Sequence, residues 1–237
     1  MPIMKEKFNQ RDRPTTFVLV HGAWAGSWDW LRVADRLVAK GHRVYAPTLS
    51  GLAERSHLAQ CKINLTTHVN DIVNEIVWKD LEQVVLVGHS YGGFVITGVA
   101  ERMRERIASI VYVEAFIPTD GQAFVDIAPW LDLTKELIAP PPSAKGDYLS
   151  ELDRAWVDRK ATPQPTATFT ERLRVTGTYQ QISKKTFIRA TGWDGPFDET
   201  VNTARADPSW TVYEIACGHD VPIDRPDELV AILEKSI

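Results

Sequence analysis

Gly88-His89-Ser90-Tyr91-Gly92 sets one serine between two glycines, directly after the apolar run Val84-Val85-Leu86-Val87 and directly before a helical pattern. That order puts Ser90 on a sharp strand-to-helix turn that presents its hydroxyl for nucleophilic attack. A turn this tight brings the backbone at Gly88 and Gly92 too close to its neighbours for a Cβ. The helix opening at Tyr91 adds unpaired N–H groups and a positive dipole end beside the serine oxygen. A serine hydroxyl is a weak nucleophile at neutral pH, so it needs a base, and the base needs a third group to fix its tautomer. Cys217-Gly218-His219-Asp220 follows the last strand pattern, where a loop at the carboxyl edge of a sheet would carry His219 over the turn. Ser90 is the expected nucleophile and His219 the expected base. A developing oxyanion needs two backbone donors. The expected pair is the N–H of Tyr91 and that of Ala23, in the His21-Gly22-Ala23-Trp24 turn after the first strand.

The other histidines are read differently. His21 ends the first strand and is expected to pack and hydrogen-bond so as to shape the following turn. His89, inside the serine turn, is expected to be structural. His42, His57 and His68 fall in or beside loops and helix starts and carry no expected chemistry. No pair has a metal-site spacing, so neither a metal nor another cofactor is expected.

These residues need a scaffold, and from Thr16 onward short β-branched runs alternate with amphipathic helical stretches. This is the pattern of a parallel sheet covered by helices. Strands are expected at 17–20, 43–46, 84–87, 107–113, 186–189 and 210–215. A helix from about Ser27 should bury Trp30, Ala34, Leu37 and Val38, and another should bury Val69, Ile72, Val73, Ile76 and Val77. A last helix opens at Asp224 with Pro226 in its first turn and presents Leu229, Val230 and Leu233. The rhythm breaks between residues 115 and 185, which hold seven prolines and two apolar clusters. An unstructured connection that long is unusual inside a domain, so a small inserted cap is expected there, within a single domain spanning 1–237. Caps supply substrate walls and exclude water. Trp24, Trp130 and Trp156 are the expected substrate-binding residues, with Trp28 and Phe124 also available.

The 237 residues carry a formal charge of −4, with 44% hydrophobic and 24% charged residues, which are globular values that give no reason to expect nucleic acid. No apolar run reaches membrane-spanning length, and Met1 to Pro14 has no signal-peptide pattern. Two distant cysteines, Cys61 and Cys217, make a disulfide framework improbable and a reducing cytoplasm the expected setting. The expected partner is a small ester-like substrate, with no nucleic acid and no membrane; a homodimer is left open.

Phe17-Val18-Leu19-Val20-His21-Gly22-Ala23-Trp24, Gly88-His89-Ser90-Tyr91-Gly92-Gly93 and Gly218-His219 together resemble the α/β-hydrolase superfamily, specifically its small branch of plant methyl-ester esterases and hydroxynitrile lyases. The stretch from Pro47 to His57 is more similar to bacterial esterase-type members, some acting on xenobiotic esters or carbamates. The resemblance implies an α/β-hydrolase fold of about six mostly parallel strands flanked by helices, and cofactor-free chemistry. Relatives in the plant branch usually place the triad aspartate where this chain has Trp193; Asp194 stands one place further on. In other members the acid follows the strand that here ends at Val113, and that position is Glu114. Glu114 ends a buried strand at the functional edge and is the expected acid. Asp194, in a loop containing glycine and proline, is the alternative, ahead of Asp198 and Asp220.

The leading expectation is a serine hydrolase that cleaves a carboxylic ester, or a related carbamate or amide, through an acyl-enzyme on Ser90. Hydroxynitrile-lyase chemistry is an alternative, weakened because the lyases carry a threonine where Gly22 stands and a lysine where Asp220 stands. A non-catalytic ligand receptor and a cofactor-independent oxygenase are further alternatives on the same architecture.

Overall fold

The computed structural model describes residues 14–237, so the amino-terminal stretch read above for signal-peptide character lies almost wholly outside them. Six strands form one parallel sheet: β1 (Thr16–Val20), β2 (Arg43–Tyr45), β3 (Val84–His89), β4 (Ile107–Val113), β7 (Lys185–Ala190) and β8 (Trp210–Ile215). Their spatial order is β2-β1-β3-β4-β7-β8. A strand buried on both faces reads as continuous apolar sequence, and β4 shows why. Its Ile110 and Tyr112 join one core cluster while Val111 and Val113 join the other. The first cluster is completed by α2 (Leu65–Trp78) through Leu65, Val69, Ile72 and Ile76, and by α3 (Gly92–Met103) through Phe94, Val95 and Val99. The second is completed by α1 (Leu31–Ala39) and α8 (Pro226–Leu233), which contribute Val33, Leu37, Leu229, Val230 and Leu233. A two-layer helical cover on a parallel sheet results.

Helix starts follow local chemistry. The Asn64 side chain accepts from Thr67 N–H at 2.9 Å and caps α2. Ser27–Trp30 is a 3-10 turn rather than the first turn of α1, and the buried stripe runs Trp30, Val33, Leu37. Val38, expected inside, is 56% exposed, because the 3-10 turn rotates the stripe relative to a continuous helix. Val77 is likewise exposed at the end of α2.

Register brings the working ends together. Val20 pairs with Gly88, His89 with Val113, Val113 with Ile188 and Ala190 with Ile215. The residues just beyond these pairs therefore emerge along one carboxyl edge, where ligands of parallel sheets bind.

The excursion between β4 and β7 has little regular structure of its own. It holds a two-stranded antiparallel ribbon, β5 (Leu137–Ile138) with β6 (Gln164–Pro165), and the helices α4 (Glu151–Lys160) and α5 (Ala167–Thr170). Phe124, Ala128, Leu131, Ile138, Phe169 and Leu173 from this stretch belong to the same core cluster as Leu86 and Phe94. Helix α4 buries none of its ten residues. The chain is completed by α6 (Asp198–Ala206), which packs beside β8, and the single turn α7 (Val221–Asp224). Among the described residues no helix is long and apolar enough to cross a membrane.

Candidate active site

Ser90 lies one residue beyond β3, with φ at +53°. A left-handed conformation at a non-glycine residue costs on the order of 1–3 kcal/mol and persists only where the surroundings impose it. Here they do. A Cβ on Gly88 would come within 2.8 Å of Gly92 O, and one on Gly92 within 2.7 Å of Val20 O and 2.8 Å of His21 O. Glu114 lies one residue beyond β4, also at positive φ, +44°. Since His89 and Val113 are register partners, Ser90 and Glu114 are equivalent positions on adjacent strands, each bent out of the sheet at its edge. The two turns are stitched together: Ser90 N–H donates to Val113 O at 3.3 Å and Phe116 N–H to Ser90 O at 3.2 Å.

Among the described residues, neither Tyr91 N–H nor Ala23 N–H has a main-chain or side-chain acceptor. Both stay available for an external oxygen. The Tyr91 side chain points away into the core, where its hydroxyl meets His68 Nδ1 at 3.0 Å. His68 Nε2 in turn meets Ser50 O at 2.9 Å. His68 is thus a fully buried residue on α2 that fixes the tyrosine after Ser90, and burial pulls its pKa down to about 3. Its position in the sequence, beside a helix start, gave no sign of this. His21 takes the packing role read from sequence: its Nε2 accepts from Leu49 N–H at 3.0 Å, so Nδ1 carries the proton donated to Gly22 O at 2.8 Å.

His219 occupies the loop between β8 and α7, among aromatic rings. Trp193 meets it at 4.9 Å between centroids, Phe197 stacks at 6.2 Å and His89 lies at 4.8 Å. Its pKa is held well below the ordinary imidazole value, first by desolvation and then by the positive charges of His89 and Arg189. Both causes favour the neutral ring over the imidazolium. Its Nδ1 is buried without a hydrogen-bond partner.

Glu114 is completely buried. Its Oε1 accepts from the Arg189 guanidinium and from Trp193 Nε1 at 2.7 Å, and its Oε2 accepts from Ala190 N–H at 2.6 Å. Burial pushes its pKa up, while the Ala190 N–H, Arg189 and Trp193 push it back. Glu114, the expected acid, accepts no hydrogen bond from the His219 ring; the indole of Trp193 donates to its Oε1 and packs against the imidazole. Asp194 is exposed and faces a polar groove lined also by Arg189, Asp198, Asn202 and Arg205. Asp220 accepts from the Tyr148 hydroxyl and lies beside His89.

The three expected substrate-binding tryptophans separate into two groups. Trp24 packs on Trp130 at 6.1 Å and Phe169 at 5.5 Å, and Trp130 is 62% exposed. Trp156, on α4, packs instead edge-on against Trp28 at 5.1 Å, beneath Arg32. Phe124 is a core residue in contact with Tyr91, Phe94 and Phe169, not part of a wall. Trp24 itself, at φ +60°, is fastened to the excursion three times. Its N–H donates to Gln164 Oε1 at 2.8 Å, its indole N–H to Ile138 O at 3.0 Å, and its carbonyl accepts from Thr162 N–H at 2.9 Å.

Two functional-looking residues escaped the sequence reading. Arg189 was legible in principle, since a guanidinium inside a buried strand demands a buried anion. Asp29, wedged between Trp28 and Trp30, gave no pattern at all.

The family model for the alpha/beta hydrolase family matches residues 17–232. A carbendazim hydrolyzing esterase from Nocardioides sp. (strain SG-4G) is 38% identical over 232 residues, 90% of this chain and 96% of that protein. Methylesterase 1 of Arabidopsis thaliana is 36% identical over 118 residues, 46% of this chain and 43% of its own length. Among solved structures, an extracellular alpha/beta-hydrolase from a Paenibacillus species superposes with a TM-score of 0.82 at 25% identity, covering 94% of this chain and 99% of the other. Tomato methylketone synthase I superposes at 0.79 with 21% identity over 94% of this chain and 97% of its own, a likeness of fold.

Proposed function

Because the chain belongs to the alpha/beta hydrolase family, we propose that it is a serine hydrolase that cleaves a carboxylic ester or related carbamate through an acyl-enzyme on Ser90. Its esterase relatives support ester hydrolysis. The observation that carries the serine mechanism is Ser90 held at positive φ beside the unpaired N–H of Tyr91.

In the proposed cycle His219 takes the Ser90 proton as the oxygen attacks the carbonyl carbon. The oxyanion is stabilised by the Tyr91 and Ala23 N–H groups, and the returned proton leaves on the departing alcohol. Water then repeats the steps and releases the acid. Glu114 is the proposed triad acid. Its Oε2 accepts only one hydrogen bond, so a carboxylate lone pair remains for Nδ1–H once the imidazole charges, and such contacts tighten in the working complex. The excursion is the proposed cap, with Trp24 and Trp130 forming the substrate wall.

The lyase alternative is not favoured. A side chain at position 22, where the lyases carry threonine, would meet His89 Nδ1 at 3.1 Å and Ser90 Cβ at 3.2 Å. Asp220 supplies an anion rather than a cation.

The test is labelling by a fluorophosphonate together with hydrolysis of 4-nitrophenyl acetate and carbendazim, a methyl carbamate. Ser90→Ala should abolish labelling and lower kcat by at least about a thousandfold. Equal hydrolysis by parent and variant would end the proposal.

A further inference from the structure

Directly before Ser90, His89 is almost wholly buried and sits between two carboxylates that, among the described residues, no other cation approaches as closely. Its Nδ1 is 3.5 Å from Asp29 Oδ2, on the 3-10 turn after β1. Its Nε2 is 3.0 Å from the carbonyl of His219 and 3.8 Å from Asp220 Oδ1. The edge of Trp30 closes one side at 6.5 Å. Gly22 closes another, where a Cβ would come within 3.1 Å of Nδ1.

The placement of the two ring nitrogens argues for one charge state before any titration is considered. A carbonyl oxygen only accepts, so Nε2 must carry hydrogen. Nδ1 faces Asp29 Oδ2 at 3.5 Å, and among the described residues neither atom makes a hydrogen bond, so a hydrogen on Nδ1 is what would give that buried carboxylate its counter-charge. An imidazole with both nitrogens protonated is an imidazolium. The alternative, a neutral ring between these carboxylates, would leave the buried Asp29 without a counter-charge. One cation bridging these three side chains fits less well, because the two nitrogens face different carboxylates from opposite sides of the ring.

We propose that His89 is a positioning residue: as an imidazolium clamped between Asp29 and Asp220, it holds the His219 main chain in place and, by its charge, keeps the His219 ring in the proton-accepting form. This rests on the reading of His219 as the base. The groups that face the clamp are Asp29, Asp220, His219 and, at longer range, His21 and Glu114. Tyr148 from the excursion donates to Asp220, and Asp224 adds negative charge behind it. His89 itself is pushed up to about 9: desolvation opposes the charge, but the bond to Asp29 and the charges of Asp29 and Asp220 outweigh it. Removing its charge must raise the His219 pKa, because a like charge nearby disfavours imidazolium formation.

Two readouts test this. In the unaltered protein, 15N-edited NMR of the histidine rings at pH 7 should show His89 with both nitrogens protonated and His219 neutral. A singly protonated His89 overturns the proposal without any assay of turnover. In the variants, His89→Gln keeps an N–H donor for the His219 carbonyl but no charge. It should move the acid limb of kcat/KM upward by about one unit or more while retaining more of kcat than His89→Ala, which loses both. Asp29→Asn should lower the His89 titration midpoint by a similar amount. A folded His89→Gln whose acid limb stays in place refutes the electrostatic role. Equal kcat in His89→Gln and His89→Ala refutes the carbonyl clamp. Hydrolysis that survives Ser90→Ala would instead bring down the serine mechanism and leave the NMR result standing.

Discussion

The carboxyl edge of β3 and β4 and the excursion above it are built on opposite terms. At the edge, Ser90 and Glu114 are bent to positive φ by backbone packed on backbone, and both carboxylate oxygens of Glu114 accept hydrogen bonds. In the excursion, α4 buries no residue, and it is tied to the rest of the domain through the Trp156–Trp28 contact and the ion pair of Asp153 with Arg32 on α1. On the proposed function, chemistry would sit where backbone packs on backbone, and recognition on a surface that can vary with less effect on the core.

That contrast predicts a gradient of effects. After the loss of Ser90 itself, Glu114→Gln should be the most damaging for rate, lowering kcat by about a hundredfold or more and also loosening Arg189, whereas Asp194→Asn should leave kcat within about twofold. Steady-state kinetics beside a thermal melt separate the two losses; collapse in Asp194→Asn with Glu114→Gln near parental would reverse the assignment. Gly92→Ala should cost about 3 kcal/mol or more in urea unfolding, since its methyl would press on Val20 O and His21 O and rigid backbone cannot yield. The smallest effect is expected from Trp130→Ala, which should raise KM several-fold while changing stability by less than about 1 kcal/mol. A kcat loss there as large as that of Glu114→Gln would erase the distinction between edge and excursion.

How far the sequence carries this picture depends on the range of the interactions. The strand β3, the serine turn and β4 were legible because apolar runs and glycines act within a few residues. The positions of β7 and β8 followed from the same pattern, each within a residue of the observed ends. The ribbon of β5 with β6 was not legible, since Gln164–Pro165 carries no strand signal and pairs with a segment far away in the chain. The surroundings of Glu114 were hidden for the same reason: Arg189 and Trp193 lie 75 and 79 residues from it. The resemblance to the plant branch implies that Trp193 stands where those relatives carry aspartate. Only the fold shows that its indole N–H turns back to the carboxylate instead.

Trp24 has a consequence for how such enzymes diversify. The residue that follows the Ala23 amide is tied to Ile138, Thr162 and Gln164, so the segment that would choose the substrate also braces a donor that would stabilise the transition state. Grafting that segment from a relative is therefore not a neutral exchange of specificity. A chimaera that fails to recreate the three ties should select its substrate and yet turn it over slowly, and evolution of new specificity in this lineage must proceed through changes that leave those ties intact.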